Sequence, residues 1–160
     1  MTLTEFTQGA LRTAEQRAFD HQYLLPGLIG EVGELFAEFA KEHWHETDRG
    51  DTKVDELGDV AWLTAILLHT LNVSEDDITH STWTMPLPDD VDGMLELLLS
   101  RAAAVYLSDE GALRKRAVVL WRFLEDAAPV LTGQPLQAAL RANQAKLQSR
   151  AEAGELKTHS

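Results

Sequence analysis

The sequence predicts an all-α fold, a set of helices packed antiparallel with no sheet. Three observations carry this. Apolar residues recur at helical spacing along nearly the whole chain, and runs that alternate apolar with polar residues are almost absent. Proline, glycine and polar clusters cut the chain into helix-length pieces. The connections between the pieces are short, so consecutive helices must reverse direction.

A first helix is predicted over about Leu3–Phe19, capped by Thr2 or Thr4. Pro26 suits the first turn of a second helix that runs to about His45. The polar stretch "ETDRGDT", Glu46 to Thr52, is a loop, and a third helix spans about Lys53–Leu71. "SEDDI" is a capped turn, with Ser74 as cap and Asp77 three residues on, and "WTMPLPDD" is a linker. Two helices follow, about Val91–Leu107 and, after Asp109, about Glu110–Ala128. "PVLTGQP", Pro129 to Pro135, breaks the chain before a last helix over about Leu136–Ala153, which ends at Gly154.

A chain of 160 residues, 44% of them hydrophobic, suits a single domain over residues 1–160 with a real core. The absence of cysteine excludes disulfides, thiolate metal sites and cysteine nucleophiles. The opening "MTLTEFTQGALRTAEQ" has neither the basic start nor the apolar core of a secretory leader, so the expected location is cytoplasmic. No apolar run approaches the roughly 18–20 residues that span a bilayer, and no membrane partner is expected. A formal net charge of −12 argues against a nucleic-acid polymer as ligand.

The position of the acids is more informative than their number. In "GLIGEVGELFAEFAKE" Glu31, Glu34, Glu38 and Glu42 follow one another at steps of three and four, along one side of a helix. Like charges so spaced destabilise a helix, and Gly27, Gly30 and Gly33 weaken it further. The acidic stripe also borders the apolar one formed by Leu28, Val32, Leu35 and Phe39, instead of lying opposite it. The third helix repeats the layout, with Glu56 and Asp59 beside Val60, Leu63 and Leu67. A lone E-x-x-E on a helix is usually a solvated face, but two pairs at the margin of one core need a countercharge. A divalent cation would supply it, and oxygen donors without cysteine favour Mg²⁺, with Mn²⁺ as the second choice. The glycines would then let another helix approach closely.

These residues resemble a known family. "GEVGEL" (Gly30 to Leu35) followed by "DELGDVAW" (Asp55 to Trp62) looks like the E-x-x-E, spacer, E-x-x-D pattern of the MazG-like nucleoside triphosphate pyrophosphohydrolases, which are all-α and related to the dimeric dUTPases. "ALRTA" (Ala10 to Ala14) resembles that family's first helix, and "NQAKLQSRAEAGEL" (Asn143 to Leu156) resembles its N-x-x-K-L-x-x-R ending. The resemblance covers about residues 3–72 and 134–156. It implies an antiparallel four-helix-bundle core with an additional helical hairpin inserted at 73–131. It also implies Mg²⁺-dependent hydrolysis of a nucleoside triphosphate, a dNTP or modified NTP included, to monophosphate and pyrophosphate in a homodimer or homotetramer. Carried over by position, Glu31, Glu34, Glu56 and Asp59 become metal ligands, and Asn143, Lys146 and Arg150 become phosphate or sugar contacts.

One departure concerns chemistry. Many members carry an extra acid directly before the first motif glutamate, where this chain has Gly30. Glu38, on the same face, is the substitute expected to accept the proton of the attacking water, and Asp55 is a weaker one. Trp44, Trp62 and His21 are the candidates for stacking on or hydrogen bonding to the base. Two rival readings stand beside this one. A catalytically silent bundle would bind nucleotide or protein, and a di-iron carboxylate bundle would use Glu42-x-x-His45 with Asp77-x-x-His80 as a poor second copy.

Overall fold

The computed structural model describes residues 1–81 and 86–154, and among these it contains helices and no strand. In chain order they are α1 Leu3–Thr13, a 3-10 turn Gln16–Phe19, α2 His21–His45, α3 Gly50–Thr70, α4 Glu75–Thr79, α5 Val91–Tyr106, α6 Glu110–Thr132 and α7 Leu136–Glu152. Trp83 and the last two residues of the closing motif, Glu155 and Leu156, lie outside the described residues.

Local chemistry sets most of the boundaries. Thr2 and Glu5 form a capping box at α1, Ser74 and Asp77 form another at α4, and Asp109 accepts from Ala112 N at the start of α6. The predicted first helix is shorter than expected. Its chain turns extended at Ala14, passes through the 3-10 turn, and Asp20 then caps α2 by accepting from Gln22 N at 2.9 Å. Pro26 therefore sits inside α2 rather than in its first turn. Pro129 likewise lies within α6, which continues to Thr132 and closes at Gly133 with φ +73°.

The central helix is α3. From Leu57 to Leu68 nearly all of its side chains are buried, as expected of a helix enclosed on every side. It touches α1, α2, α6 and α7, while α5 packs on α2 and α6. The contacts α2–α3, α3–α6, α6–α5 and α5–α2 close a circuit, and α1 and α7 pack on each other and on α3. The segment expected as an insertion is thus part of the core: Met94, Leu98 and Val105 of α5 and Leu120, Phe123 and Leu124 of α6 are buried in it. Phe6 of α1 meets Trp121 of α6 with ring centroids 6.4 Å apart.

The expected role of the α2 glycines needs correction. A Cβ at Gly27 would rest 3.5 Å from Leu63 Cδ1, but at Gly30 or Gly33 it would meet nothing within 4 Å. The close approach is at Gly58, where a Cβ would lie 2.7 Å from the Ala139 carbonyl oxygen and 3.1 Å from Asn143 Cβ. Gly58 is what lets α7 cross α3 beside Asp59. Gly58→Ala should therefore destabilise the protein by about 1–3 kcal/mol through overpacking. Gly33→Ala should stabilise it by up to about 1 kcal/mol, the usual gain of an exposed helical position. Urea unfolding of the two variants checks both signs.

Candidate metal centre and its cavity

Packing of α2 on α3 brings acids from both helices together. One carboxylate oxygen each from Glu31, Glu56 and Asp59 lies within 4.8 Å of the others, and all three residues are half-buried. Ligands of a single hard cation at about 2.0–2.6 Å must be no farther apart than about 4–5 Å, so the spacing fits one divalent ion. The all-oxygen donor set fits Mg²⁺ or Mn²⁺. Glu34 is exposed and its oxygens stand outside this group, although its charge acts on both Glu31 and Glu56.

The third contributor is α7. Asn143, 1% exposed, donates from Nδ2 to Asp59 Oδ1 at 2.9 Å, and Lys146 Nζ reaches the same oxygen at 2.6 Å. One ammonium thus serves three carboxylates. Burial, then the charges of Asp59 and Glu56, push the Glu31 carboxyl from 4.5 up to about 7, against the opposing pull of Lys146. Burial and Asp59 raise Glu56 as well.

The other half of the acidic stripe has a different fate. Glu38 is buried, and its oxygens accept from Arg49 Nε at 2.6 Å, Thr52 Oγ1 at 2.8 Å and Lys41 Nζ at 3.2 Å. The Arg49 hydrogen bond, with help from Thr52 and Lys41, holds its carboxyl down at about 2 despite burial. A group so acidified and so fully engaged is unsuited to accept a proton from water, and the expectation of Glu38 as general base is corrected on that ground. Glu42 is held by Lys53 Nζ at 2.5 Å and by the Arg49 amide at 3.0 Å, and the Lys53 contact leads in lowering its pKa. These pairs tie the end of α2 to the start of α3.

A cavity of about 500 Å³ opens beside the acidic cluster, with Glu31, Asp59, Trp62, Asn143 and Arg150 in its wall. A second, of about 290 Å³, shares Trp62 and Asn143. Trp62 Nε1 and Asn143 Oδ1 are buried there with no hydrogen-bond partner among the described residues. Two expected base contacts are elsewhere. Trp44 is 81% exposed and lines neither cavity, and His21 Nε2 is engaged with Thr70 Oγ1 at 2.8 Å. Asp55 is exposed and outside both. The cavity wall adds Arg17 and Tyr23, which the helical periodicity gave no reason to single out. Burial, followed by Glu31 and Asp59, raises the Tyr23 phenol, which marks it as a neighbour of the cluster.

The di-iron arrangement does not assemble. Glu42 is tied to Lys53, Asp77 to Ser74 and Arg114, and His80 Nδ1 to the Asp76 carbonyl oxygen. Among the described residues no histidine joins the carboxylate cluster. No family model, no curated protein and no solved structure matches this chain.

Two predictions follow from the opposite shifts along α2. Between about 4.5 and about 7 native Glu31 retains a proton that the unfolded chain has released, so the metal-free protein should lose stability as pH rises through that interval and then level off. Glu31→Gln should flatten this limb in thermal unfolding followed against pH. Glu38 has the opposite sign: its contribution is full above 4.5 and is lost as pH falls towards about 2. Glu38→Gln should cost about 2 kcal/mol near neutral pH, between the values for surface and buried ion pairs, as read by urea unfolding.

Proposed function

We propose that this protein is a Mg²⁺-dependent nucleoside triphosphate pyrophosphohydrolase of the MazG-like kind, converting a triphosphate and water into the monophosphate and pyrophosphate. The observation that carries the reading is a single cavity whose wall contains Glu31 and Asp59 of the acidic cluster together with the aromatic surfaces of Trp62 and Tyr23. An anionic tail needing a cation and a flat apolar base needing an aromatic wall are the two halves of a nucleotide. The volume of about 500 Å³ lies within the usual range of small-molecule pockets. In this reading the helices α2, α3, α6 and α5 are the bundle core, and α7 carries the contacts that complete the site.

Glu31, Glu56 and Asp59 would hold the cation, and Glu34, exposed one turn from Glu31, would turn in as the fourth ligand. Bound Mg²⁺ supplies the positive charge that a triphosphate and its pyrophosphate leaving group require. Asn143 fixes the Asp59 carboxylate from behind, and Lys146 stands on the same oxygen, ready to share its charge with an entering phosphate. Trp62 and Tyr23 pack on the base.

The test is a panel of canonical and modified ribo- and deoxyribonucleoside triphosphates, incubated with Mg²⁺ or Mn²⁺ and assayed for pyrophosphate. Turnover of at least one is expected. Glu31→Gln and Asp59→Asn should each reduce it by more than the roughly 10–100-fold typical of partners outside the metal's own ligands. Glu31→Gln should at the same time leave the metal-free fold as stable as the wild type or more so. No turnover of any member of the panel would reduce the protein to a binding module.

A further inference from the structure

Arg17, on the 3-10 turn, and Arg150, on α7, both line the 500 Å³ cavity. In a chain with 26 acids and 14 bases, a base beside acids would be expected to find a partner. Lys41, Arg49, Lys53, Arg114 and Lys146 do, whereas Arg12, Lys115 and Arg141 do not among the described residues. The side chains of Arg17 and Arg150 likewise make no hydrogen bond or ion pair among the described residues, although Asp20, Glu31 and Asp59 line the same cavity. The Asp20 carboxylate is engaged at the cap of α2, and Asp59 is held by Asn143 and Lys146.

Both arginines are carried on ordered backbone. The Asp20 amide donates to the Arg17 carbonyl oxygen at 3.2 Å, and the Ala18 amide donates to that of Glu15 at 2.9 Å, so the turn holds Arg17 at the cavity. Arg150 stands seven residues beyond Asn143, about 10 Å along the helix. Helical side chains lean toward the N-terminus, which inclines Arg150 back toward Lys146 and the acidic cluster.

We infer that Arg17 joins Arg150 in a clamp that holds the β- and γ-phosphates of the ligand, the part released as pyrophosphate. The inference rests on the nucleotide reading given above and extends it to a residue, Arg17, that no sequence pattern marks. A guanidinium fork matches two phosphate oxygens at once, which an ammonium cannot do. The distal phosphates of a triphosphate lie beyond the reach of a cation held at the α-phosphate alone. In a protein of net charge −12 they need a dedicated countercharge.

The probe is inorganic pyrophosphate, titrated calorimetrically in the presence of Mg²⁺ into wild type, Arg17→Ala, Arg150→Ala and, as a control for net charge, Lys115→Ala, an exposed residue of α6 outside the cavity. Each arginine variant should bind about tenfold more weakly, the Lys115 variant should match the wild type, and Arg17→Lys should recover only part of the loss. Wild-type affinity in Arg17→Ala, an equal loss in Lys115→Ala, or no binding to the wild type would each overturn the clamp. The same proteins assayed on the triphosphate panel separate the two ideas. Arginine-dependent pyrophosphate binding without turnover keeps the clamp and removes the hydrolase. Turnover with affinity indifferent to Arg17 does the reverse.

Discussion

Neutralising the acids of α2 is the constraint on which the molecule depends. Four glutamates at helical spacing cannot all be relieved from within the helix, where Lys41 is the one base between Glu31 and Glu42 and reaches Glu38 alone. Relief must come from neighbours, and it arrives in two different forms. At the C-terminal half, Arg49, Thr52 and Lys53 fold back from the loop and the start of α3 and occupy Glu38 and Glu42. At the N-terminal half, α3 brings two more acids instead, and the cation nearest them is Lys146, bonded to Asp59. One half of the stripe is closed by ion pairs, and the other keeps three acids around a single ammonium.

The open half depends on the crossing of α3 and α7. Lys146 and Asn143 can reach Asp59 because Gly58, the preceding residue, lets the backbone of α7 come within contact distance of α3. The crossing also places Trp62, one turn beyond Gly58, in the wall shared by the two cavities. A single residue without a side chain therefore links the packing of the fold to the orientation of a carboxylate. The helices α5 and α6 contribute to the core and line neither of these cavities, so packing and site are divided between different parts of the chain.

The helices themselves were legible from periodicity, and the caps at Thr2, Ser74 and Asp109 from the capping pattern. The convergence of Glu31, Glu56 and Asp59 followed from the two stripes bordering the same apolar seam. Other features depended on forces that spacing does not carry. Pro129 reads as a break, yet α6 passes it because Ala127, Ala128 and Leu131 are buried, and their packing outweighs the roughly 3 kcal/mol that an interior proline costs. Glu31 and Glu38 occupy equivalent places in the pattern. What separates them is Arg49 and Thr52, distant in sequence and supplied by the fold. Arg17 and Tyr23 were invisible because the stretch that bears them reads as a continuous helix and a loop. It folds instead as a 3-10 turn and a new capped helix that frame the cavity.

Unfavourable electrostatic features gather where α2, α3 and α7 meet, though not only there. The carboxyl pushed up to about 7, Asp59 and the arginines Arg17 and Arg150 line one cavity with Glu56 beside them, whereas a carboxyl raised by burial at Glu125 and an unpaired buried oxygen at Gln137 lie elsewhere. Elsewhere along α2 the acids are matched by bases and the apolar face is buried. What sets the meeting of α2, α3 and α7 apart is that three acids share one ammonium beside a cavity, an arrangement that the C-terminal half of α2 avoids. The wall beside those acids is mixed in character, with guanidinium groups from Arg17 and Arg150 and aromatic rings from Tyr23 and Trp62, so the nucleotide reading asks of one ligand both an anionic tail and a flat apolar face.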